Sequence, residues 1–176
     1  MYRGELDEVR IYERPLAEKE ILRQHERPAT RGLVQYLSFD EPGSKAYKFS
    51  GKPKFVPCKL GNGIQFGGQQ FIELATEREF KDGWSISMWF KGWGPLFGRA
   101  AGFSCDTASI WHLEETDKGH PKWQRKQLGG TDRRFWAHLT VTFDPRTKTI
   151  KSFIQDQDVR HWFRENVRWT YMQVRL

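Results

Sequence analysis

Two segments of the chain alternate residue by residue between two sets of side chains, and this pattern constrains the fold more than any other. In residues 84–91 (WSISMWFK), the first set is Trp84, Ile86, Met88 and Phe90, and the second is Ser85, Ser87, Trp89 and Lys91. In residues 135–143 (FWAHLTVTF), the first set is Phe135, Ala137, Leu139, Val141 and Phe143, and the second is Trp136, His138, Thr140 and Thr142. Successive side chains of a strand point to opposite faces. The alternation therefore predicts two strands whose apolar sets face one core.

Shorter segments of the same character fill much of the remaining chain. Apolar and aromatic runs between glycine, proline and asparagine turns predict further strands, at residues 6–12, 33–39, 61–66, 71–74 and 149–154. After Pro15 the stretch AEKEILRQHE is rich in helix formers and predicts one short helix. Its N-cap position holds Ala17, which lacks a side-chain acceptor, so the first turn is weakly capped. Together these elements predict an all-β fold, a two-sheet antiparallel sandwich with one short N-terminal helix.

The opening stretch GELDEVRIYERPLAEKEI resembles the C-terminal closure of laminin G-like jelly rolls, within the concanavalin A-like lectin and glucanase superfamily. LVQYLSFDE, KLGNGIQFGG, FIELA, WSISMWFKG and FWAHLTVTFDPRTKTIKSFI then follow in the order of that family's earlier strands. Because a closing element stands first, the resemblance implies a fragment that spans the end of one repeat and most of the next. The expected units are 1–26 (closing strand and helix), 27–32 (linker) and 33–176 (a jelly roll without its last strands). We expect residues 6–12 to pair within that jelly roll and complete it.

The resemblance also implies a function, namely a non-catalytic module that binds glycans or proteins within a larger exported protein, extracellular or periplasmic. Enzymes of the superfamily carry paired carboxylates in an E-x-D-x-E or E-x-D-x-x-E arrangement on one strand. Glu5 and Asp7 match the first two places, but Val9 and Arg10 occupy the two possible third places. We therefore expect no catalytic residues, and read Asp7 and Glu8 as structural residues at a strand end. A glycan-active enzyme, or its accessory domain, is the alternative.

Nothing in the sequence indicates a cofactor or a metal. The spacings of zinc, nucleophile-elbow and phosphate-loop motifs are not found. Some laminin G-like modules bind calcium through loop carboxylates, but no acidic spacing here predicts such a site. Cys58 and Cys105 fit no paired spacing and are expected to be free thiols.

Tryptophans outside the core-facing sets are the strongest binding signal. Flat aromatic rings stack on the faces of sugars, while serine and histidine hydrogen-bond to hydroxyl groups. The candidate ligand-binding residues are Trp89, Trp136, His138, Ser87, Trp93, Trp111 and Trp123. The alternative is that these rings pack under loops or against a neighbouring domain, because eight tryptophans exceed the needs of one sugar site.

Basic residues outnumber acidic ones by 29 to 22, which gives a formal net charge of +7 and favours acidic partners. One basic group consists of Lys122, Arg125, Lys126, Arg133 and Arg134. Binding of a polyanion such as a sulfated glycan or nucleic acid through this group is a third interpretation, which steep salt dependence would reveal. No run approaches the 18 apolar residues of a membrane-spanning helix, so membrane insertion is not expected.

Overall fold

The computed structural model describes residues 2–43, 47–74, 80–99, 103–106, 109–115, 121–127, 134–147, 149–156 and 169–175. Within those ranges, side chains are described up to residue 97 and from residue 134 to residue 154. The strands are β1 (Arg3–Tyr12), β2 (Leu33–Leu37), β3 (Tyr47–Ser50), β4 (Lys54–Pro57), β5 (Asn62–Gly67), β6 (Phe71–Leu74), β7 (Trp84–Trp93), β8 (Pro95–Arg99), β9 (Phe103–Asp106), β10 (Ser109–Glu115), β11 (Pro121–Gln127), β12 (Ala137–Asp144), β13 (Thr149–Asp156) and β14 (Trp169–Arg175). A short helix, α1 (Glu18–Arg23), follows β1. The predicted all-β, antiparallel character is therefore confirmed.

The strands form one large sheet and two small ones. The main sheet has the order β14-β13-β12-β7-β1-β5-β4. In addition, β2 pairs with the C-terminal part of β1, past the residues of β1 that pair with β5. The small sheets have the orders β11-β10-β9-β8 and β3-β6. The opening strand β1 pairs antiparallel with β2, β5 and β7, so it lies in the middle of the main sheet rather than projecting from it.

The core lies on the face of the main sheet that the alternation predicts. Met88, Phe90, Leu139 and Val141 are buried in the main apolar cluster, and Ile86 and Phe143 are partly buried against it. Side chains of β3, β6 and β8 also pack on this cluster and form the second layer of the sandwich; they are Tyr47, Phe49, Ile72, Leu96 and Phe97. Phe135 was expected to face inward, but it is 36% exposed because it precedes β12.

The opposite face of the main sheet is also largely buried, which the sequence pattern does not indicate. Ser85, Ser87, Thr140 and Thr142 are all at most 3% exposed. A second apolar cluster covers this face near α1, and it contains Tyr12, Leu16, Ile21 and Phe153. Ser85 fixes the covering segment, because its hydroxyl oxygen accepts a hydrogen bond from the Leu16 N–H at 2.9 Å. The side chains of β7 and β12 face the core as the alternation predicts, but the sequence pattern does not predict that the opposite face of these strands is covered.

The short helix α1 is held mainly through Glu20. Its carboxylate accepts the Ala17 N–H at 2.8 Å and bonds the Arg14 guanidinium at 2.7 and 2.5 Å. The Ala17 side chain makes no cap bond, as expected for alanine. Among the described residues, no helix is long and apolar enough to cross a membrane.

Candidate functional site

The face of the main sheet that points away from the core cluster carries four of the predicted ligand-binding residues, Ser87, Trp89, Trp93 and His138, and we call it the polar face. The register of β1, β7 and β12 arranges its side chains in rows across the sheet. These rows are Arg3–Trp93, Glu5–Lys91, Asp7–Trp89–His138 and Arg10–Ser87–Thr140. The polar face therefore brings three of the predicted candidates, Ser87, Trp89 and His138, next to one another.

A β-bulge in β1 decides which residues reach the polar face. Between Asp7 and Arg10, β1 has one residue more than β7, and Glu8 has a φ of 55°. A non-glycine residue in this left-handed region is uncommon, and a bulge is one of the places where it occurs. The extra residue moves Val9 to the core and Arg10 to the polar face. Glu8 and Asp7, predicted as strand-end residues, lie inside the strand.

The Glu8 carboxylate is the centre of a buried ionic cluster at the edge of the polar face. It bonds the Arg10 guanidinium and accepts the Tyr36 hydroxyl at 2.5 Å. The Arg10 guanidinium carbon lies 4.5 Å from the centre of the Tyr36 ring. This arrangement satisfies a carboxylate that is 4% exposed, and it stabilises the unusual backbone of Glu8.

The middle of the polar face is a closed cluster rather than an open platform. Trp89 and His138 are 3% and 2% exposed, with their rings 5.0 Å apart in edge contact. The Ser87 hydroxyl lies 3.0 Å from His138 Nε2. Burial lowers the pKa of His138 to about 3, and the positive charges of His25 and Arg10 add to this effect. His138 is therefore neutral at physiological pH, and these three side chains have a packing role in this conformation.

Residues from two loops cover this cluster of Ser87, Trp89 and His138. The Lys59 ammonium lies 5.0 Å from the centre of the Trp89 ring. On the other side, the His25 ring approaches the His138 ring to 6.3 Å. With 3% of its surface exposed, Trp89 offers no open stacking face in this conformation.

Asp7 is the most unusual acid of the polar face. Its side chain has no exposed surface, and Oδ2 accepts the Leu60 N–H at 2.8 Å. Oδ1 has no hydrogen-bond partner among the described residues. Burial, with a smaller contribution from the negative charge of Glu8, raises the pKa of Asp7 to about 7. Burial likewise raises the pKa of the neighbouring Cys58 thiol to about 12, so this cysteine, which is free, is protonated.

The end of the polar face near Trp93 is open to solvent. Trp93 is 48% exposed, and the Arg3 guanidinium carbon lies 6.0 Å from the centre of its ring. In the next row, Lys91 Nζ and Glu5 Oε2 form an ion pair at 3.3 Å. The neighbouring Gln65 amide lies 3.4 Å from Glu5 Oε1. An exposed indole thus stands beside charged and amide groups that can donate and accept hydrogen bonds.

Two glycines allow the strands to approach at this open end. Gly4 has a φ of 150° and Gly92 a φ of 134°, which are unfavourable for residues with a side chain. A Cβ atom on Gly4 would lie 2.1 Å from the Lys91 carbonyl oxygen. The path of β1 beside β7 therefore requires glycine at this point.

The remaining predicted residues lie elsewhere. Trp136 is partly buried, and Arg134 is exposed with its guanidinium 5.5 Å from the Phe135 ring centre. Arg133 lies outside the described residues. The backbone register of β10 and β11 pairs Trp111 with Arg125, Leu113 with Trp123, Glu114 with Lys122 and Ile110 with Lys126. The side chains of these residues lie outside the described part of the structure.

Within the described ranges, no three histidine, cysteine, aspartate or glutamate side chains are grouped so that they could hold a metal ion. Comparison of the chain with protein-family models, with curated proteins and with solved structures finds no match.

Proposed function

We propose that the chain is a non-catalytic, laminin G-like jelly-roll module that recognises glycans at the open end of the polar face. The observation that carries this proposal is the Trp93 indole, 48% exposed on a sheet face and flanked by charged and amide side chains. An accessible ring supplies the flat apolar surface on which the C–H face of a sugar stacks. The neighbouring polar groups fix the orientation of the sugar through its hydroxyl groups.

Each neighbour has a distinct role in this proposal. The Arg3 guanidinium supplies N–H donors beside the indole, while the Glu5 carboxylate supplies acceptors. Because Lys91 already neutralises Glu5, the pair presents a polar surface without an isolated charge. Trp89 and His138 hold β7 and β12 in place beneath the loops and do not touch the ligand.

The test uses affinity electrophoresis of the purified chain through gels that contain members of a glycan panel. Trp93→Ala should weaken binding about tenfold, since it removes the stacking surface. Phe71→Ala is the matched control, because Phe71 is 52% exposed on the other layer of the sandwich. The proposal fails if no glycan retards the wild-type chain, or if Trp93→Ala binds as the wild type does.

The same experiment at low and high salt separates stacking from polyanion binding. Stacking on an indole depends little on ionic strength, whereas contacts to a polyanion weaken steeply with salt. Retardation that persists at high salt is the expected result. Its loss at high salt in both the wild type and Trp93→Ala would favour the polyanion interpretation.

The absence of catalysis is part of the proposal. Glu5 is held by Lys91, Asp7 is fully buried, and Arg10 stands where a second catalytic carboxylate would be needed. We expect no release of reducing sugar from a panel of β-glucans. Release that disappears in Glu5→Gln would contradict this and would favour the enzyme alternative.

A further inference from the structure

A large cavity lies between the main sheet and the second layer, on the side of the main sheet opposite Trp93. Its volume is about 750 Å³. Protein interiors are close-packed and hold few voids larger than a water molecule, whereas small-molecule sites have volumes of about 300–1,000 Å³. The cavity is therefore much larger than a packing defect and has the size of a ligand site.

The cavity has a buried floor and an exposed mouth. Leu6, Phe66 and Met88 line it from the main sheet, and none of them is more than 6% exposed. Phe71 and Leu74 line it from β6, and they are 52% and 40% exposed. The cavity therefore reaches solvent on the side of β6, while its deepest part is shielded from water.

Aromatic rings form much of the wall. The aromatic residues that line the cavity are Tyr2, Phe66, Phe71, Phe80, Trp84 and Phe97. The rings of Trp84 and Phe97 meet edge to face, with their centres 6.4 Å apart. Aromatic side chains bury large apolar areas and pack well against other rings. A wall of this kind favours a ligand that has a ring system.

Among the described residues, no charged side chain lines the cavity, and only Tyr2, Gln69 and Gln70 bring polar groups to it. The Tyr2 hydroxyl already bonds two backbone carbonyl oxygens. The Gln70 amide oxygen accepts the Gly67 N–H at 2.8 Å, whereas its NH₂ group has no partner in the described part of the chain. A charged ligand group would lose its water here without gaining an opposite charge. The lining therefore favours a neutral ligand.

We infer that the cavity binds a neutral, mainly apolar small molecule that has a ring system and one uncharged polar group. The rings lie on the buried floor between the aromatic side chains, and the polar group lies near Gln69 and Gln70 in the turn between β5 and β6. Burial of the apolar surface of the ligand supplies the affinity, and the two amides orient it. This site is independent of the proposed glycan site, because it lies on the other side of the main sheet.

The test compares two fluorescent probes that share one ring skeleton and differ in charge. N-phenylnaphthylamine is neutral, and anilinonaphthalene sulfonate carries a sulfonate on the same rings. Both are titrated into the full chain at about 0.5 M NaCl, which screens the net charge of +7 that would otherwise attract the sulfonate. We expect the neutral probe to saturate at one molecule per chain with a Kd of about 1–100 µM, and the sulfonate to bind at least about tenfold more weakly.

Two variants locate the site. Ile72→Trp places an indole in the cavity from a partly buried position of β6, so it should weaken the neutral probe about tenfold or more without lowering the Tm. Leu74→Glu puts a charge at the mouth, where the fold tolerates it, and should weaken binding about fivefold to tenfold. Leu60→Glu is the matched control, because Leu60 is 50% exposed and does not line the cavity.

The control Leu60→Glu should bind the neutral probe as the wild type does, and so should Trp93→Ala. If Ile72→Trp does not fold, the comparison of Leu74→Glu with Leu60→Glu decides. The inference is overturned if the neutral probe does not saturate at one molecule per chain, or if the sulfonate binds as tightly as its neutral analogue. It is also overturned if Leu74→Glu and Leu60→Glu bind the neutral probe equally well.

Discussion

Replacement of Asp7 by asparagine tests the electrostatics of the polar face quantitatively. Asp7 is fully buried in the central strand, where one carboxylate oxygen accepts the Leu60 N–H and the other has no partner among the described residues. Asparagine has the same shape, can still accept the Leu60 N–H, and carries no charge. The substitution therefore removes the cost of a buried charge and leaves the packing almost unchanged.

The size of the effect follows from the pKa of Asp7, which burial raises from 3.8 to about 7. Between these two pH values, Asp7 keeps its proton in the folded protein but has lost it in the unfolded chain. The free energy of unfolding therefore falls as the pH rises from about 4 to about 7, and this contribution is constant outside that window. At about 1.4 kcal/mol for each tenfold change in proton affinity, the loss is at most about 4 kcal/mol.

The variant should not lose stability as the pH rises. Its side-chain N–H groups, however, occupy the position of the unpartnered Oδ1 atom, and this lowers the free energy of unfolding by about 1–3 kcal/mol at every pH. Urea denaturation from pH 4 to pH 8 should then show Asp7→Asn to be less stable than the wild type near pH 4 and more stable near pH 8. Asp82→Asn, at an exposed position, serves as the control and should follow the wild-type curve. Parallel curves for Asp7→Asn and the wild type would refute the reasoning.

Three further predictions concern the fold. Gly4→Ala should destabilise the protein by about 3 kcal/mol or more in chemical denaturation, because its Cβ would lie 2.1 Å from a backbone oxygen of β7. Leu139→Ala should cost about 2–5 kcal/mol because Leu139 has no exposed surface, whereas Leu60→Ala, at a position 50% exposed, should cost about 0.5 kcal/mol or less. Amides of residues 6–12 should exchange with solvent as slowly as those of β12; exchange at the rate of a disordered peptide would contradict the central position of β1.

The sequence predicts the core-facing half of the main sheet well, because that half depends only on the period of a strand. The alternation of Met88 and Phe90 with their neighbours is a local property, and so is that of Leu139 and Val141. The burial of Ser85 on the other face depends instead on α1 and the segment before it, which pack there through a tertiary contact. The apolar positions Leu16 and Ile21 of the helical segment were a signal that some surface had to receive them.

The candidate site was harder to predict for two physical reasons. Trp89 and Trp93 have the same chemistry and lie on the same face, but loops brought in from distant sequence cover only Trp89, so exposure could not be read from the strand pattern. The bulge at Glu8 also has no glycine to signal it, and Tyr36, which bonds the Glu8 carboxylate together with the nearby Arg10, comes from the distant strand β2. Loop closure and side-chain partners that come from other strands are decided by the fold as a whole.

The most direct test of glycan recognition at the polar face is the movement of individual indole N–H signals in a ¹⁵N–¹H correlation spectrum during titration with a glycan that retards the chain. Trp93→Phe and Trp89→Phe assign the two signals. If the sugar stacks on the exposed ring, the Trp93 signal shifts progressively and saturates, while the buried Trp89 signal stays in place. A saturating titration in which the Trp93 signal does not move would contradict the proposed site.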